Sequence, residues 1–368
     1  GYGMFGPSKD SYEGILVRRL PIISRGKGQG WRLLLNYLSF VVSGCLLGPL
    51  YCKGRFDLIL VYEPSPVTVG LPALVLKKLT GAPIFFWVQD LWPETLAAVG
   101  AVKSRLILNL IGSLVKFIYN GCDLLLVQSR SFVQAVKEYG VGEEKIRYFP
   151  NTAEALYRPI GTPTLVLEGD KLPGSFRIMF AGNIGAAQDF ATILDAAERL
   201  RNIPEIHWVI LGDGRLRPWV AEQVEKRGLQ STVHLLGRHP KEKMPDFFAQ
   251  ADALLVTLKK EEIFALTIPS KVQAYLACGR PVIAALEGEG QRVIEEAGAG
   301  LVVEPENPEK LAEAVQTMYN IPKSEQKEMG ARGRDYFNDH FDRTKLFEKL
   351  EGWMQEICSM DVSKEKQQ

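Results

Sequence analysis

The sequence predicts an α/β protein built from two Rossmann-like domains in tandem. Short, uninterrupted apolar runs alternate with amphipathic stretches along almost the whole chain, the pattern of parallel strands covered on both faces by helices. The alternation comes in two series, divided by residues 152–174, which lack periodicity and carry Pro159, Pro163 and Pro173. A length of 368 residues, 46% of them hydrophobic, is ample for two cores.

The first series opens slowly. GYGMFGPSKDSYEG (1–14) reads as loop, with Met4 as the first possible initiator, and ILVRRLP (15–21) is the first plausible strand. WRLLLNYLSFVVSGCLLGPLYC (31–52) is the most apolar stretch and is about long enough to cross a bilayer. Asn36, Ser39, Ser43, Gly44, Gly48 and Pro49 interrupt it and basic residues flank it. Two readings stay open, a helix with one face in the membrane interface and a buried core helix. From residue 56 the rhythm is regular, with strands at 56–62, 83–90, 123–129 and 145–151 and helices at 68–81, 104–121 and 130–140.

The second series places strands at 176–182, 207–214, 232–237, 252–258, 281–286 and 300–305. Helices fall at 188–201, 216–227, 240–250, 270–278, 289–297 and 308–319, and a helical tail spans 325–357. Ligands of such sheets sit beyond the carboxyl ends of the strands. There the turns are rich in features that suit a phosphate. AGNIGAAQDF puts Gly182, Asn183 and Gly185 between a strand and a helix, without the GxGxxG dinucleotide fingerprint. LGDGRLR, with Gly212, and LLGR, ending in Gly237 and Arg238, are similar turns. In TIPSKVQAYLACGRPVIA (267–284), Ser270 is placed to cap a helix and Lys271 to lie in its first turn. A lysine there opposes the helix dipole by roughly 0.3–1 kcal/mol, a sign that a bound diphosphate would reverse.

In the first domain, WVQDLWPET (87–95) ends a strand with Asp90 and Glu94 among Trp87 and Trp92. A carboxylate at that position suits binding or deprotonating a hydroxyl, and aromatics suit a sugar ring. Capping of the next turn by Asp90 or Glu94 is the competing reading. Charge is uneven: residues 1–120 hold 13 Lys/Arg and six Asp/Glu, although the whole chain is only +1. Nothing global points to nucleic acid; the basic first third fits an anionic partner or an ordinary solvated face. The five cysteines show no CxxC and the four histidines are dispersed, so a reducing compartment and no protein-built metal site are expected.

Taken in order, NYLSF (36–40), VQDLWPE (88–94), Ser129, Pro150–Asn151, AGNIGAAQ (181–188), GDG (212–214), LGR (236–238) and TIPSKVQAYLACGRPVIA resemble the glycosyltransferase family 4 group. The similarity is closest to bacterial capsule, colanic-acid and O-antigen enzymes of the L-fucosamine transferase type. The resemblance implies the GT-B fold, two Rossmann-like domains facing across a cleft, with a C-terminal helix crossing back to the first. Residues 1–160, completed by 338–368, would bind the acceptor, and 161–337 the nucleotide sugar. It implies retaining transfer from a UDP-sugar to a polyprenyl-diphosphate-linked saccharide, without an essential metal or other cofactor. The enzyme would be cytoplasmic and peripheral, on the anionic inner face of the plasma membrane. Carried over by position, the donor site comprises Gly182, Asn183, Gly185, Gln188, Gly212, Leu236, Gly237, Arg238, Thr267, Ser270 and Lys271; Asp90, Trp92 and Glu94 form the acceptor side, with Asp90 and Lys271 as catalytic groups.

The chain departs from the broader family in three places. A Glu-x7-Glu pair is replaced by Leu266 and Ala274, and the usual Arg and Lys after the first strand of the second domain by Asn183 and Gln188. Diphosphate neutralisation therefore falls to Lys271 and nearby backbone. Family members also begin with a strand and Gly-rich loop ahead of residue 1 here, as in a chain truncated at its N-terminus. A non-hydrolysing UDP-sugar epimerase of the same fold and a degenerate, non-catalytic partner subunit are the rival expectations.

Overall fold

The computed structural model describes residues 9–26, 30–98, 100–161 and 175–365, in two compact units. The first comprises Gly1–Phe149 and Lys349–Gln368, the second Pro150–Glu348. The division falls at Phe149 rather than after residue 160, and the chain returns at Lys349 rather than 338. Local contacts explain it. Phe149 is buried edge-on against Trp87 and Trp353, at ring-centroid distances of 4.9 and 6.2 Å. The Asn151 carbonyl, just beyond, accepts from Gln273 Nε2 at 2.6 Å, and the Thr152 hydroxyl donates to the Phe341 carbonyl. Most of the expected linker, 162–174, and the first eight residues of the expected opening loop lie outside the described residues.

The first unit begins with an antiparallel hairpin, β1 (Lys9–Tyr12) and β2 (Ile15–Arg18), where loop was expected up to residue 14. KDSY is exposed throughout, so it carries no alternation that sequence could reveal. Then follow α1 (Gly30–Tyr51), β3 (Ile59–Glu63), α2 (Gly70–Thr80), β4 (Ile84–Val88), the short α3 (Glu94–Ala98), α4 (Arg105–Gly121), β5 (Leu124–Val127), α5 (Arg130–Lys137) and β6 (Ile146–Tyr148). The strands form one parallel sheet in the order β3-β4-β5-β6. Phe85, Phe86, Leu125, Ile118 and Phe132 are among its buried core. Ser129 caps α5 by accepting from the Phe132 amide at 3.2 Å.

Helix α1 is not the buried core helix that was one of the two readings of residues 31–52. Only Asn36 and Gly44 are buried. Asn36 Nδ2 donates to the Ile23 carbonyl at 2.6 Å, the Ile23 amide donates to Ser39 Oγ at 2.9 Å, and Gly44 lies against Pro72 of α2. Asn36, Ser39 and Gly44 therefore face the protein, whereas Gly48 meets open space. Trp31, Leu34, Leu38, Val42, Leu46 and Leu50, spaced by three or four residues, are all exposed.

The second unit contains β7 (Phe176–Ala181), α6 (Phe190–Arg199), β8 (Ile206–Leu211), α7 (Arg217–Lys226), β9 (Val233–Gly237), α8 (Met244–Ala249) and β10 (Ala253–Thr257). It continues with α9 (Glu262–Ala265), α10 (Ser270–Ala277), β11 (Val282–Ala285), α11 (Glu289–Glu296), β12 (Gly300–Val303), α12 (Pro308–Asn320), α13 (Lys323–His340) and α14 (Arg343–Glu365). The six strands run parallel in the order β12-β11-β10-β7-β8-β9. Strand order reverses between β7 and β10, and the loops leaving these two strands form the switch point where such sheets bind ligands. Two apolar clusters cover the faces, one with Leu254, Val256, Leu276 and Val282, the other with Phe180, Ile193, Trp208 and Leu255. The tail is two helices, not one: the chain breaks at Phe341, whose side chain is buried, and Asp342. Two of the four histidines are not dispersed. His207 and His234 stack across β8 and β9, with Nδ1 and Nε2 2.9 Å apart, and burial holds both below the usual imidazole range.

Candidate functional site

The turns after β7, β8 and β9 are tied to one another by backbone. The Gly182 amide donates to the Leu211 carbonyl at 2.9 Å, and the Gly212 amide to the Gly237 carbonyl at 2.8 Å. Gly182 and Gly212 have φ of 147° and 139°, and a Cβ on Gly212 would stand 1.8 Å from the Gly182 carbonyl oxygen. These two glycines are thus required by close backbone packing, and their amides are already engaged rather than offered to a phosphate. Glycine also serves at Gly182 by making room for Lys271, whose Cε is 2.6 Å from the place a Cβ would occupy.

Lys271 is the centre of this side. It lies in the first turn of α10, which starts at Ser270 with Pro269 ahead of it as N-cap, so Ser270 does not cap the helix as expected. Proline fixes the extended entry but supplies no side-chain acceptor. The Lys271 ammonium sits 3.8 Å above the centroid of the Phe180 ring and donates to Gln188 Oε1. Burial alone pulls its pKa down from 10.5 to about 7. An aromatic face and a neutral amide carbonyl stabilise a cation only partly. Among the described residues nothing supplies the full counter-charge to this ammonium.

Beside it is a cavity of about 690 Å³. Gly182, Asn183, Gly212 and Arg238 line it, joined by Asp213 and His239, which sequence reasoning missed. Asn183 and Arg238 are exposed. His239 Nε2 is 3.1 Å from the Leu236 carbonyl oxygen, which orients its ring. Gly185, Gln188, Leu236, Gly237, Thr267, Ser270 and Lys271 itself are off the cavity wall, Lys271 lying behind Gly182. Gln188 acts through Lys271, Thr267 bonds back to the Phe264 carbonyl at 3.3 Å, and Ser270 is exposed. Leu266 is half-buried, and Ala274, where the wider family keeps a glutamate, packs into the apolar cluster under β10.

In the first unit, Asp90 follows the carboxyl end of β4. Its carboxylate accepts from Trp92 Nε1 at 3.2 Å and from the Thr95 hydroxyl at 2.5 Å, so it is held in one orientation. Trp92 is only 7% exposed and serves as a donor to Asp90; it does not present a free ring face to a sugar as expected. Glu94 accepts from the Tyr139 hydroxyl at 2.6 Å. Asp90 and Glu94 are both half-buried, and Glu94 Oε2 is enclosed without a hydrogen-bond partner among the described residues.

Glu63 was not foreseen. The expected strand stopped at residue 62; β3 runs one residue further and ends on this acid, which has no exposed surface. Its Oε2 lies 3.3 Å from both the Gln89 and Asp90 amides. Burial, with the neighbouring Asp90 carboxylate adding to it, pushes Glu63 up to about 8. At neutral pH Glu63 is the protonated member of a carboxyl pair.

A six-stranded parallel sheet with ligand-binding features at its switch point, preceded by a second parallel α/β unit, defines the GT-B class of glycosyltransferase. The chain matches the Glycosyl transferase 4-like domain over residues 6–152 and the Glycosyl transferases group 1 domain over residues 175–320. It belongs to the group 1, GT4-like glycosyltransferases and is an enzyme of that kind. It is 28% identical over 339 residues to the probable glycosyltransferase WbjE of Pseudomonas aeruginosa, covering 89% of this chain and 82% of that one. To the putative colanic acid biosynthesis glycosyl transferase WcaI of Escherichia coli K12 it is 26% identical, covering 83% of this chain and 77% of WcaI. Among solved structures, sucrose-phosphate synthase of Thermosynechococcus elongatus has a TM-score of 0.74 at 18% identity, with 97% and 87% coverage. The Alr3699/HepE protein of Anabaena, solved with UDP and glucose, has a TM-score of 0.65 at 16% identity, with 82% and 78% coverage.

Proposed function

We propose that this chain is a retaining glycosyltransferase that moves a sugar from a UDP-sugar to a polyprenyl-diphosphate-linked saccharide during bacterial surface polysaccharide biosynthesis. The observation that carries the proposal is Lys271: a half-buried lysine in the first turn of an eight-residue helix, with only an amide oxygen and a ring face for company among the described residues. A diphosphate is the ligand that completes it. Bound there, the diphosphate meets the Lys271 charge and the partial positive charge of the α10 N-terminus, while Arg238 and Asn183 on the cavity wall contact the rest of the nucleotide. In the reaction the anomeric C–O bond to the diphosphate breaks, the acceptor oxygen bonds that carbon on the same face, and the hydroxyl proton passes to the departing diphosphate oxygen. Negative charge collects on the departing UDP, where Lys271 stabilises it. Asp90 keeps lone pairs beyond those used by Trp92 and Thr95 and holds the acceptor hydroxyl. No metal enters this scheme. The name of WcaI supports the polysaccharide setting, and the UDP in the HepE structure the donor class.

The lipid-linked acceptor and a place at the anionic inner face of the plasma membrane are supported by the outward apolar row of α1. Exposed Arg32 at its start and Lys53 and Arg55 just after its end add positive charge. The test is to incubate purified protein with membranes and a panel of UDP-sugars and analyse the lipid extract by mass. A lipid product heavier by one sugar, with UDP released only when membranes are present, is expected, and Lys271→Ala should abolish it. An epimerised sugar without membranes would identify an epimerase, and no UDP-sugar binding by calorimetry a non-catalytic subunit.

A further inference from the structure

We propose that Glu63 is a positioning residue for the acceptor half of the reaction, its buried carboxyl holding the Gln89–Asp90 turn and through it the Asp90 carboxylate. This rests on Asp90 being the group that receives the acceptor hydroxyl. Glu63 lies beside Val88 in the β3–β4 ladder, so its side chain reaches beneath the turn that β4 feeds. There it accepts from two consecutive amides at 3.3 Å, while Trp92 and Thr95 hold the Asp90 carboxylate itself. Asp90 is thus gripped by its backbone on one side and its side chain on the other.

The carboxyl is held neutral first by its burial and then by the Asp90 carboxylate in the turn after β4. Tyr119, from α4, is itself pushed up by burial and by Glu63, Glu94 of α3 and Tyr139. The buried Tyr119 hydroxyl and Glu63 Oε1 have no protein partner among the described residues. An ionised Glu63 would place a second negative charge, buried and unpaired with a cation, directly under Asp90. An apolar side chain would take the side-chain acceptor from the Asp90 amide, while the Gln89 amide would keep the Glu63 main-chain carbonyl at 3.2 Å. A neutral carboxyl, or an amide of the same shape, satisfies both demands.

The experiment compares wild type, Glu63→Ala, Glu63→Gln and Asp90→Asn from pH 6 to 9, with UDP-sugar saturating and acceptor varied, alongside UDP-sugar binding and thermal unfolding. Wild-type kcat/KM for acceptor should fall above pH 8, where Glu63 ionises. Folded Glu63→Ala should lose at least about tenfold in that parameter at pH 7 with donor binding unchanged. Glu63→Gln should recover the rate lost in Glu63→Ala and lack the alkaline fall. Wild-type acceptor kinetics in folded Glu63→Ala, or an unaltered alkaline fall in Glu63→Gln, overturns the proposal. Asp90→Asn separates the two levels. If it is as active as wild type, the role of Asp90 falls, and that of Glu63 with it. If it is inactive while Glu63→Ala is normal, only the role of Glu63 falls.

Discussion

If Lys271 meets the donor diphosphate only as an ammonium, UDP-sugar affinity must depend on pH in a window that few lysines reach. Free Lys271 has a pKa of about 7 because it is desolvated without an ion-pair partner. It is therefore about nine-tenths charged at pH 6 and about one-tenth at pH 8. The diphosphate of a UDP-sugar keeps its charge across that range, so the titration belongs to the protein. The bound anion favours the ammonium and raises its pKa. The donor Kd should then be nearly flat below pH 6 and rise about tenfold between pH 6 and pH 8, a loss of ~1.4 kcal/mol. At pH 8 binding should take up about 0.9 proton per site. Isothermal titration calorimetry in buffers of different ionisation enthalpy reads both quantities. Lys271→Met should bind more weakly at pH 6 by about 1.5–3 kcal/mol, and should lose this contribution to the pH dependence. A flat wild-type profile, or the same slope and proton uptake in Lys271→Met, would refute the assignment.

Three further outcomes follow from the same geometry. Glu63 has a folded pKa of about 8 against 4.5 unfolded, so the folded state binds more protons in between. Its contribution to stability is complete below pH 4.5 and lost as pH rises towards 8, by at most a few kcal/mol. Urea titrations of wild type against Glu63→Gln across that range should show the difference, and parallel curves would contradict it. Gly182→Ala combines a φ of 147° with a clash against Lys271 Cε. It should cost about 1–3 kcal/mol of stability and weaken UDP-sugar binding, and unchanged affinity would mean that Lys271 is not constrained there. Leu38→Asp with Leu46→Asp on α1 should leave UDP-sugar binding unchanged and stability within about 0.5 kcal/mol per site, since both positions are exposed. The same double variant should lose flotation with phosphatidylglycerol-containing vesicles, and retention would count against the apolar row as a membrane contact.

Sequence alone determined the frame of this protein. Parallel strands buried on both faces must be apolar without interruption, so runs such as FRIMFA and ALLVT announced themselves, and the helices between them carried the complementary period. Lys271 was legible for a related reason: a lysine in the first turn of a helix breaks a local electrostatic rule, and the break is visible in one dimension. What depended on distant partners was not visible. A terminal Glu63 is an ordinary acid until β3 lies beside β4 and the turn after β4 folds over it. Gly182 and Gly212 looked like phosphate turns, but tertiary packing engages their amides with Leu211 and Gly237. The interruptions in α1 gave no direction of their own; only docking on Ile23 and Pro72 turned its polar side inward and its leucines out. Local pattern sets which element forms, since that depends on neighbours along the chain. Burial, charge state and the use of each amide depend on neighbours across space, and those the tertiary structure alone decides.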